Sequence, residues 1–544
     1  MKGKVIKKIL TVLLFVLLLT ACTDMKEKSK DDDISKSEVK DSVLTEELPQ
    51  GDVIFDWYVN YSWFTTRWGN NLVSKKITEE TGVSINFITP IGNETEKLNA
   101  LISSDSLPDI ITLGYWEPQV DEMINKDMVY ALNELADSYA PYFWSVADED
   151  VVNWYTQEDG NIYAYPNSSV TPQDLNENEN MGSNQTFLVR KDIYEAIGSP
   201  DMSTPEGFTK AVEKAVEMFP EVEGGELIPI GAHVFDNEGN VSFDKYLMNF
   251  LAIPCEKDGQ IYDRYTDPEY IRWLKVFREL SKKGLLSTDI FVDTRTQMEE
   301  KLSQGRYFCM IYQYTDMLTQ QKQLYDKNPN MIYMAVEGPR NSNGAAPTLP
   351  STSINGWTVT MISKKCENPE KAIQFISYLM SEHGQKLCYL GVEGETYDII
   401  DGKPVMKPEI KALLDTDRTE YDKLYGADNA YWMLQDIVMQ QKWAQDPSPG
   451  EAQLKEWSHK YVVYSGQYDI ELSENSPALI ADAKIRKLWS ETLPDLLLAS
   501  TEEQFDSILS DFIVERERLG YNLYIDAATE YMNDAKQKLG LQRE

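Results

Sequence analysis

The side chains that could do chemistry in this chain are spaced against catalysis. Its three histidines, His233, His383 and His459, are scattered. No GxSxG, HExxH or GxxxxGK[ST] run is present, so the nucleophile-elbow, zinc-helix and phosphate-loop readings fall away. Cys255, Cys309, Cys366 and Cys388 form no CxxC pair, and none lies near a histidine at zinc-ligand spacing. Isolated buried thiols are expected, with no metal and no cofactor. The 89 Asp and Glu residues could supply an acid and a nucleophile for glycoside hydrolysis. At that abundance a chance pair carries no information. Cys22 differs from the other cysteines. It ends the run Leu19-Thr20-Ala21-Cys22, after the basic start Lys2, Lys4, Lys7 and Lys8 and an apolar stretch from Ile9 to Leu19. That stretch has the length of a secretory core and is too short for a comfortable membrane span.

The Leu-small-small-Cys ending resembles the bacterial lipobox. The resemblance implies cleavage before Cys22, acyl chains such as palmitate on its thiol, and a mature protein anchored to the extracellular face of the cell membrane. The formal charge is −37. Loss of residues 1–21, with their four lysines and no acid, takes it to −41. Such a surface excludes nucleic acid as a partner, because phosphates need a basic face. Residues 22–50 are rich in Lys, Asp, Ser and Glu and hold no aromatic residue. They read as a flexible tether. The remainder, with 42 % hydrophobic and 11 % aromatic residues overall, is long enough for two to four domains.

Stepping along that remainder, Val53-Ile54-Phe55 predicts a buried strand, the segment around Ile77 a helix, and Val83 to Ile88 a second strand. A helix from Glu94 to Ser103 and a strand through Ile110, Ile111 and Leu113 follow. This is the β-α-β-α-β alternation of an α/β domain with a parallel sheet. Asp267-Pro268-Glu269 opens a later helix with a cap, a first-turn proline and an acid; Leu274, Phe277 and Leu280 give it an apolar face, and Lys282-Lys283-Gly284 close it. Asn368-Pro369-Glu370 opens another. There is no internal repeat.

Four segments, in order, resemble the extracellular solute-binding lipoproteins of carbohydrate ABC importers, and most of all the large family-1 binding proteins of Gram-positive bacteria. They are Leu101 to Ile110, with Ser103, Asp105, Pro108 and Asp109; Phe187 to Asp192 with Gly198 and Thr204-Pro205-Glu206; Trp357 through Asn368-Pro369-Glu370-Lys371-Ala372 to Gly391-Val392-Glu393-Gly394; and the tail from Leu493-Pro494 to Tyr531. Together they span most of residues 51–540. The resemblance implies a two-lobe α/β fold of the type II periplasmic-binding kind, with discontinuous lobes joined by crossover hinges and a ligand held between them. The first lobe is expected over 51–167 plus 355–400 and the second over 168–354 plus 401–544. The chain should cross near residues 166–186, return near 353–357 and cross last after Tyr397. It implies a monomer that captures an oligosaccharide, does no chemistry on it, and hands it to ABC permease subunits. Some relatives carry an acidic calcium-type loop. Here the matching stretch at residues 221–230 lacks the alternating Asp and Asn oxygens that a hard cation needs, and residues 174–180 lack the glycine and closing acid.

A sugar needs flat aromatic platforms and planar donors and acceptors, which belong at the carboxyl ends of strands in an open α/β lobe. Residues 56–64 hold five aromatics in nine positions. Asn60, Tyr61 and Trp63 lie beyond the strand and are candidates, whereas Trp57 fits either the core or the site. Tyr115, Trp116 and Glu117 sit between Gly114 and Pro118, in a loop. Tyr165 and Asn167 fall at the first crossover. Tyr312 and Tyr314 follow the strand that starts at Tyr307. Trp357 lies at the return crossover, as ligand platform or hinge packing, and Glu393 is a ligand or a cap. Trp432, Trp443, Trp457 and Trp489 read as helix-packing aromatics. Two other readings remain open. The same fold could bind a peptide or another small solute, or serve a membrane sensor. A surface glycoside hydrolase would use the carboxylates.

Overall fold

The computed structural model describes residues 41–43 and 52–541, apart from 179–180, 224, 237–238 and 474. Cys22, the leader at 1–21 and the tether at 22–50, but for 41–43, lie outside the described residues. Besides the short strand Asp41–Val43, nine strands among the described residues build the two main sheets: β1 (Val53–Val59), β2 (Val83–Pro90), β3 (Ile110–Gly114), β4 (Tyr165–Pro166), β5 (Gln185–Arg190), β6 (Ile228–Gly231), β7 (Tyr307–Gln313), β8 (Tyr333–Ala335) and β9 (Thr358–Ile362). In the first sheet β2, β1 and β3 run parallel, and β9 then β4 add antiparallel beyond β3; the short strand Asp41–Val43 pairs antiparallel with the outer edge of β2. The expected alternation thus holds for the three parallel strands. β4 and β9 are chain segments leaving and re-entering the lobe. The second sheet runs β8-β5-β7-β6, with β6 parallel to β7 and the other pairs antiparallel.

Alternation along β1 explains how the first sheet is covered on both faces. Phe55, Trp57 and Val59 enter one core, which includes the helix Pro369–Met380. Tyr58 points the other way, to a core with Leu98, Ile111 and Met361. Trp57 is therefore a core residue, its indole N–H donating to Thr112 Oγ1 at 2.9 Å. The second sheet packs under a separate core that reaches from Phe187 to Phe512. The helix Pro268–Lys282 buries Tyr270, Trp273, Leu274, Phe277 and Leu280 there, with Asp267 capping and Gly284 in the left-handed region at φ +72°.

One expected boundary moves. Residues beyond 400 do not pass straight into the second lobe: Met406, Ile410, Tyr421, Tyr431, Trp432 and Leu434 pack in the first lobe's core. Gln445 still bonds to Met406 N and Pro404 O. Only with the helix Pro449–His459 do Leu454 and Trp457 join the second core. The last crossing therefore follows residue 445, not Tyr397. Among the described residues no helix is long and apolar enough to cross a membrane.

Candidate ligand-binding site

Three separate chain segments meet at Asn167, which is wholly buried. Its N–H donates to Thr358 O at 2.9 Å and its carbonyl accepts from Trp357 N at 3.2 Å. Its side-chain Oδ1 accepts from Thr358 N at 2.8 Å, and Nδ2 donates to Trp432 O at 3.0 Å. Beside it Ser168 N donates to Gln435 O at 2.8 Å, and Gln435 Nε2 donates to Ser168 Oγ at 2.6 Å. The outgoing segment at 167, the returning one at 357 and the one at 432–435 are thus tied side by side. Gly356 sits at φ +68°, where an added Cβ would stand 1.9 Å from Asn167 O. Only glycine fits so close a crossing.

Against this junction lies a cluster of four aromatic rings. Trp357 and Trp432 are 4.5 Å apart between centroids. Trp63 lies nearly parallel to Trp357, 6.0 Å away at 10°, and 5.7 Å from Trp432. Tyr61 touches all three, at 5.3, 5.4 and 5.8 Å. Trp63 is the exposed member, at 55 %. It presents an apolar face to water with a rigid backing, which is how a sugar's C–H face is received. The Tyr61 hydroxyl is buried and has no hydrogen-bond partner among the described residues; burial, then the charges of Glu117 and Glu94, push its pKa up.

Polar groups border the cluster. Asn60, at the end of β1, donates from Nδ2 to Glu117 Oε2 at 2.6 Å and accepts the Tyr58 hydroxyl at 2.8 Å. Glu117 Oε1 accepts from Gly114 N at 2.7 Å, so the loops after β1 and β3 are locked together. Burial raises the Glu117 carboxyl, against the pull of those donors. Ser62 donates from both N and Oγ to Glu94 Oε1. Trp116 is 53 % exposed and lies so close over Gly114 that a Cβ there would come within 2.8 Å of its ring.

The chain's sequence matches that of the bacterial extracellular solute-binding proteins over residues 65–386. The chain belongs to that family. Its relatives include the fructooligosaccharide ABC transporter substrate-binding protein FusA of Streptococcus pneumoniae, 26 % identical over 40 % of this chain and 42 % of the relative. The match thus spans less than half of that protein's length. A second is the polygalacturonan/rhamnogalacturonan-binding protein of Bacillus subtilis, 19 % identical over 66 % of this chain and 70 % of the relative. Among solved structures, FusA in complex with kestose superposes with a TM-score of 0.68 over 89 % of this chain and 99 % of that one, at 16 % identity. The fold is therefore the two-lobe α/β fold of solute-binding proteins.

In this solute-binding protein the candidate residues separate into groups. Asn60, Tyr61, Trp63, Glu117 and Trp357 come together, and Trp432, which sequence reasoning assigned to helix packing, joins them from a 3-10 turn. Tyr115 belongs to a second group on the other face of the first sheet. There Tyr155 donates to Asn355 O at 2.8 Å and Trp154 Nε1 donates to Asn355 Oδ1 at 2.5 Å. The Tyr115 hydroxyl is raised by burial and by Asp469 and Glu471. The surrounding protein, then Asp121 and Asp469, raise the Glu471 carboxyl to about 8 although water still reaches it. Tyr165 is half-buried, edge-on to Phe143, with its hydroxyl accepting from Asp148 N at 3.0 Å. Asn167 directs its side-chain amide to the hinge, with Oδ1 on Thr358 N and Nδ2 on Trp432 O.

Tyr312 is a correction. It is wholly buried, with its ring 4.3 Å from His233, and so offers no platform. The strand's alternation turns it into the second core. Tyr314 is also buried, its N–H donating to Asn184 O at 2.9 Å. The accessible polar group at the end of β7 is instead Gln313, which accepts from Tyr246 Oη at 2.6 Å and Asn184 Nδ2 at 3.5 Å. Glu393 is exposed in the turn before the hairpin Tyr397–Ile400 and Lys403–Met406, and no ring contact or hydrogen bond joins its side chain to the cluster. Trp443, Trp457 and Trp489 are core residues, as read. Cys309, Cys366 and Cys388 are buried free thiols and Cys255 a half-buried one. In the 221–230 stretch Glu223 pairs with Lys327 at 2.8 Å, and Asp174 serves a helix capping box with Thr171.

Proposed function

We propose that this protein is the substrate-binding lipoprotein of an ABC importer, and that it captures an oligosaccharide against Trp63, Trp357, Trp432 and Tyr61 at the hinge. The observation that supports this most is that ring cluster, backed by the core, with one exposed face and the Asn60–Glu117 pair at its border. A saccharide-binding name on both curated relatives supports the ligand class. The protein carries its ligand without transforming it. The lobes close over the solute by bending where Asn167, Gly356 and Gln435 meet, and a permease in the membrane reads the closed form. The first lobe comprises residues 51–167, about 355–445, and the second the rest up to 544. The chain acts as a monomer, held at the extracellular face by acyl chains on Cys22 after removal of residues 1–21.

A thermal-shift panel on residues 51–544 tests the ligand class, because saturating a tight ligand adds a few kcal/mol to stability. A shift confined to one oligosaccharide family supports the reading. Shifts with peptides alone refute it. For the anchor, Cys22→Ser should release the protein into the medium; retention on the membrane would refute acylation there.

A further inference from the structure

The carboxyl end of β7 carries an amide set for a partner outside the protein. Both crossovers join the second sheet at this end. The outgoing segment delivers the chain to Gln185, which lies opposite Gln313. The returning one leaves β8 past Phe187, with Val336 N donating to Phe187 O at 3.0 Å. Just beyond Gln313 the helix Leu318–Lys327 begins, and it lies against the helix Pro408–Thr416, whose Ile410 packs in the first lobe's core. This edge of the second sheet therefore gives onto the first lobe. The element that orients the amide is the π-helical turn Ser242–Tyr246, a rare form that recurs at functional sites. Asn240 Oδ1 accepts from Ser242 N at 3.1 Å and Phe243 N at 3.2 Å. Ser242 Oγ donates to Ile311 O at 2.6 Å, which pins the turn to β7 two residues before Gln313. Tyr246 thus ends beside Gln313, and its hydroxyl donates to Oε1 at 2.6 Å. Asn184 Nδ2 reaches the same oxygen at 3.5 Å. With Oε1 taking both donors, Nε2 is the outward group of Gln313. Among the described residues that nitrogen donates to nothing, and Asn184 Oδ1 accepts from nothing. Gln313 is half-buried and Asn184 exposed.

We infer that Gln313 is the second lobe's contact to the ligand: Nε2 donates to a saccharide hydroxyl whose own proton goes to Asn184 Oδ1, and Tyr246 is the positioning residue that turns the amide this way. This rests on the saccharide reading above. A hydroxyl both donates and accepts, so one hydroxyl satisfies an N–H and a carbonyl on neighbouring amides. An ether oxygen or a deoxy carbon cannot. A site built on fixed hydrogen-bonding groups rejects an analogue that lacks the matching group, because its own polar atoms are then buried unpaired. Without the Tyr246 hydroxyl the Gln313 amide is free to turn over and present Oε1 instead. Burial pushes the Tyr246 pKa up, so the hydroxyl keeps its proton and the direction of that bond holds. The first lobe's rings meet C–H faces and grip many sugars alike. The amide pair reads the position of one hydroxyl.

The test is calorimetry on residues 51–544 with malto-, manno-, xylo- and fructo-oligosaccharides, in the parent and in Gln313→Ala, Gln313→Glu, Tyr246→Phe and Trp63→Ala. Gln313→Glu keeps an oxygen for Tyr246 and Asn184 but has no N–H to give, so it removes the donor and preserves the packing. The inference predicts that whichever oligosaccharide binds the parent binds both Gln313 variants at least about tenfold more weakly. Tyr246→Phe should cost about threefold or more in the parent and nothing further in a Gln313→Ala background, because Tyr246 acts through that amide alone. Equal loss in both backgrounds is what a merely structural tyrosine would give, and it overturns the positioning role. Parental affinity in either Gln313 variant overturns the inference; Trp63→Ala weakened beside it leaves the saccharide reading intact. No binding by any of these oligosaccharides overturns the saccharide reading, and this one with it.

Discussion

Asn167 shows how one side chain at a crossover can tie distant segments together. Its position at the first crossover and its amide suit a sugar hydroxyl. The structure instead gives Oδ1 to Thr358 N and Nδ2 to Trp432 O, holding three chain segments with one residue. Asn167→Ala would leave a buried N–H and a buried carbonyl unpaired at the hinge. The expected loss is about 2–4 kcal/mol of stability, read as a lower urea midpoint with unchanged slope; a midpoint within error of the parent would refute the stitching role. Trp432 errs in the opposite direction. It stands in the apolar run Tyr431-Trp432-Met433-Leu434, which any local reading assigns to packing, and the other three do pack in the first lobe's core. Its ring meets Trp63 and Trp357 because of contacts between distant segments, and nothing in the local pattern encodes them. The position of Asn60, Tyr61 and Trp63 just past the strand Val53–Val59 was legible because that strand's alternation is plain.

At the scale of elements, two devices deserve testing. The Gly356 crossing admits no Cβ, so Gly356→Ala must either move the returning segment or part it from Asn167. It should lower stability by at least about 1 kcal/mol and weaken ligand affinity by loosening the Trp357 platform; parental values for both would show that the crossing has slack. In the second lobe, buried Asp244 joins the helices Pro268–Lys282 and Pro477–Leu498. It accepts Trp489 Nε1 at 2.6 Å and the Tyr270 hydroxyl at 3.4 Å on Oδ1, and Asn240 N at 2.7 Å on Oδ2. Burial, against those donors and Lys245, lifts its carboxyl to about 7 from the ordinary 3.8. The folded state thus holds the proton more tightly than the unfolded one. Its contribution is full below about pH 4 and is lost as pH rises through about 7. Urea midpoints at pH 5 and pH 8 should differ more in the parent than in Asp244→Asn. The variant should also be less stable outright, because its amide turns a donor toward one of the two N–H groups. An equal pH slope in both would refute the assignment.

Across the whole molecule, the β-α-β-α-β start was readable from periodicity and the two-lobe fold from the resemblance. The third crossing was not. The hairpin Tyr397–Ile400 and Lys403–Met406 turns Ile399, Ile400 and Val405 outward, so its apolar residues say little about which core they serve. The residues that return the chain to the first lobe, Ile410, Tyr421 and Tyr431, are spread thinly over the helices and turns that follow. The second lobe's polar side was also missed: alternation in β7 buries Tyr312 and leaves Gln313 half-buried beside Tyr246, and the two aromatics drew attention from the amide between them. The central claim is that a saccharide binds between the lobes on the Trp63 face. Calorimetric titration of residues 51–544 with neutral oligosaccharides tests it most directly, in the parent, in Trp63→Ala and in Trp144→Ala, an exposed tryptophan outside the cluster. The account predicts one-to-one binding that weakens at least about tenfold in Trp63→Ala, or about 1.4 kcal/mol, and is unchanged in Trp144→Ala. Binding that survives Trp63→Ala intact, or no binding by any oligosaccharide, would contradict it.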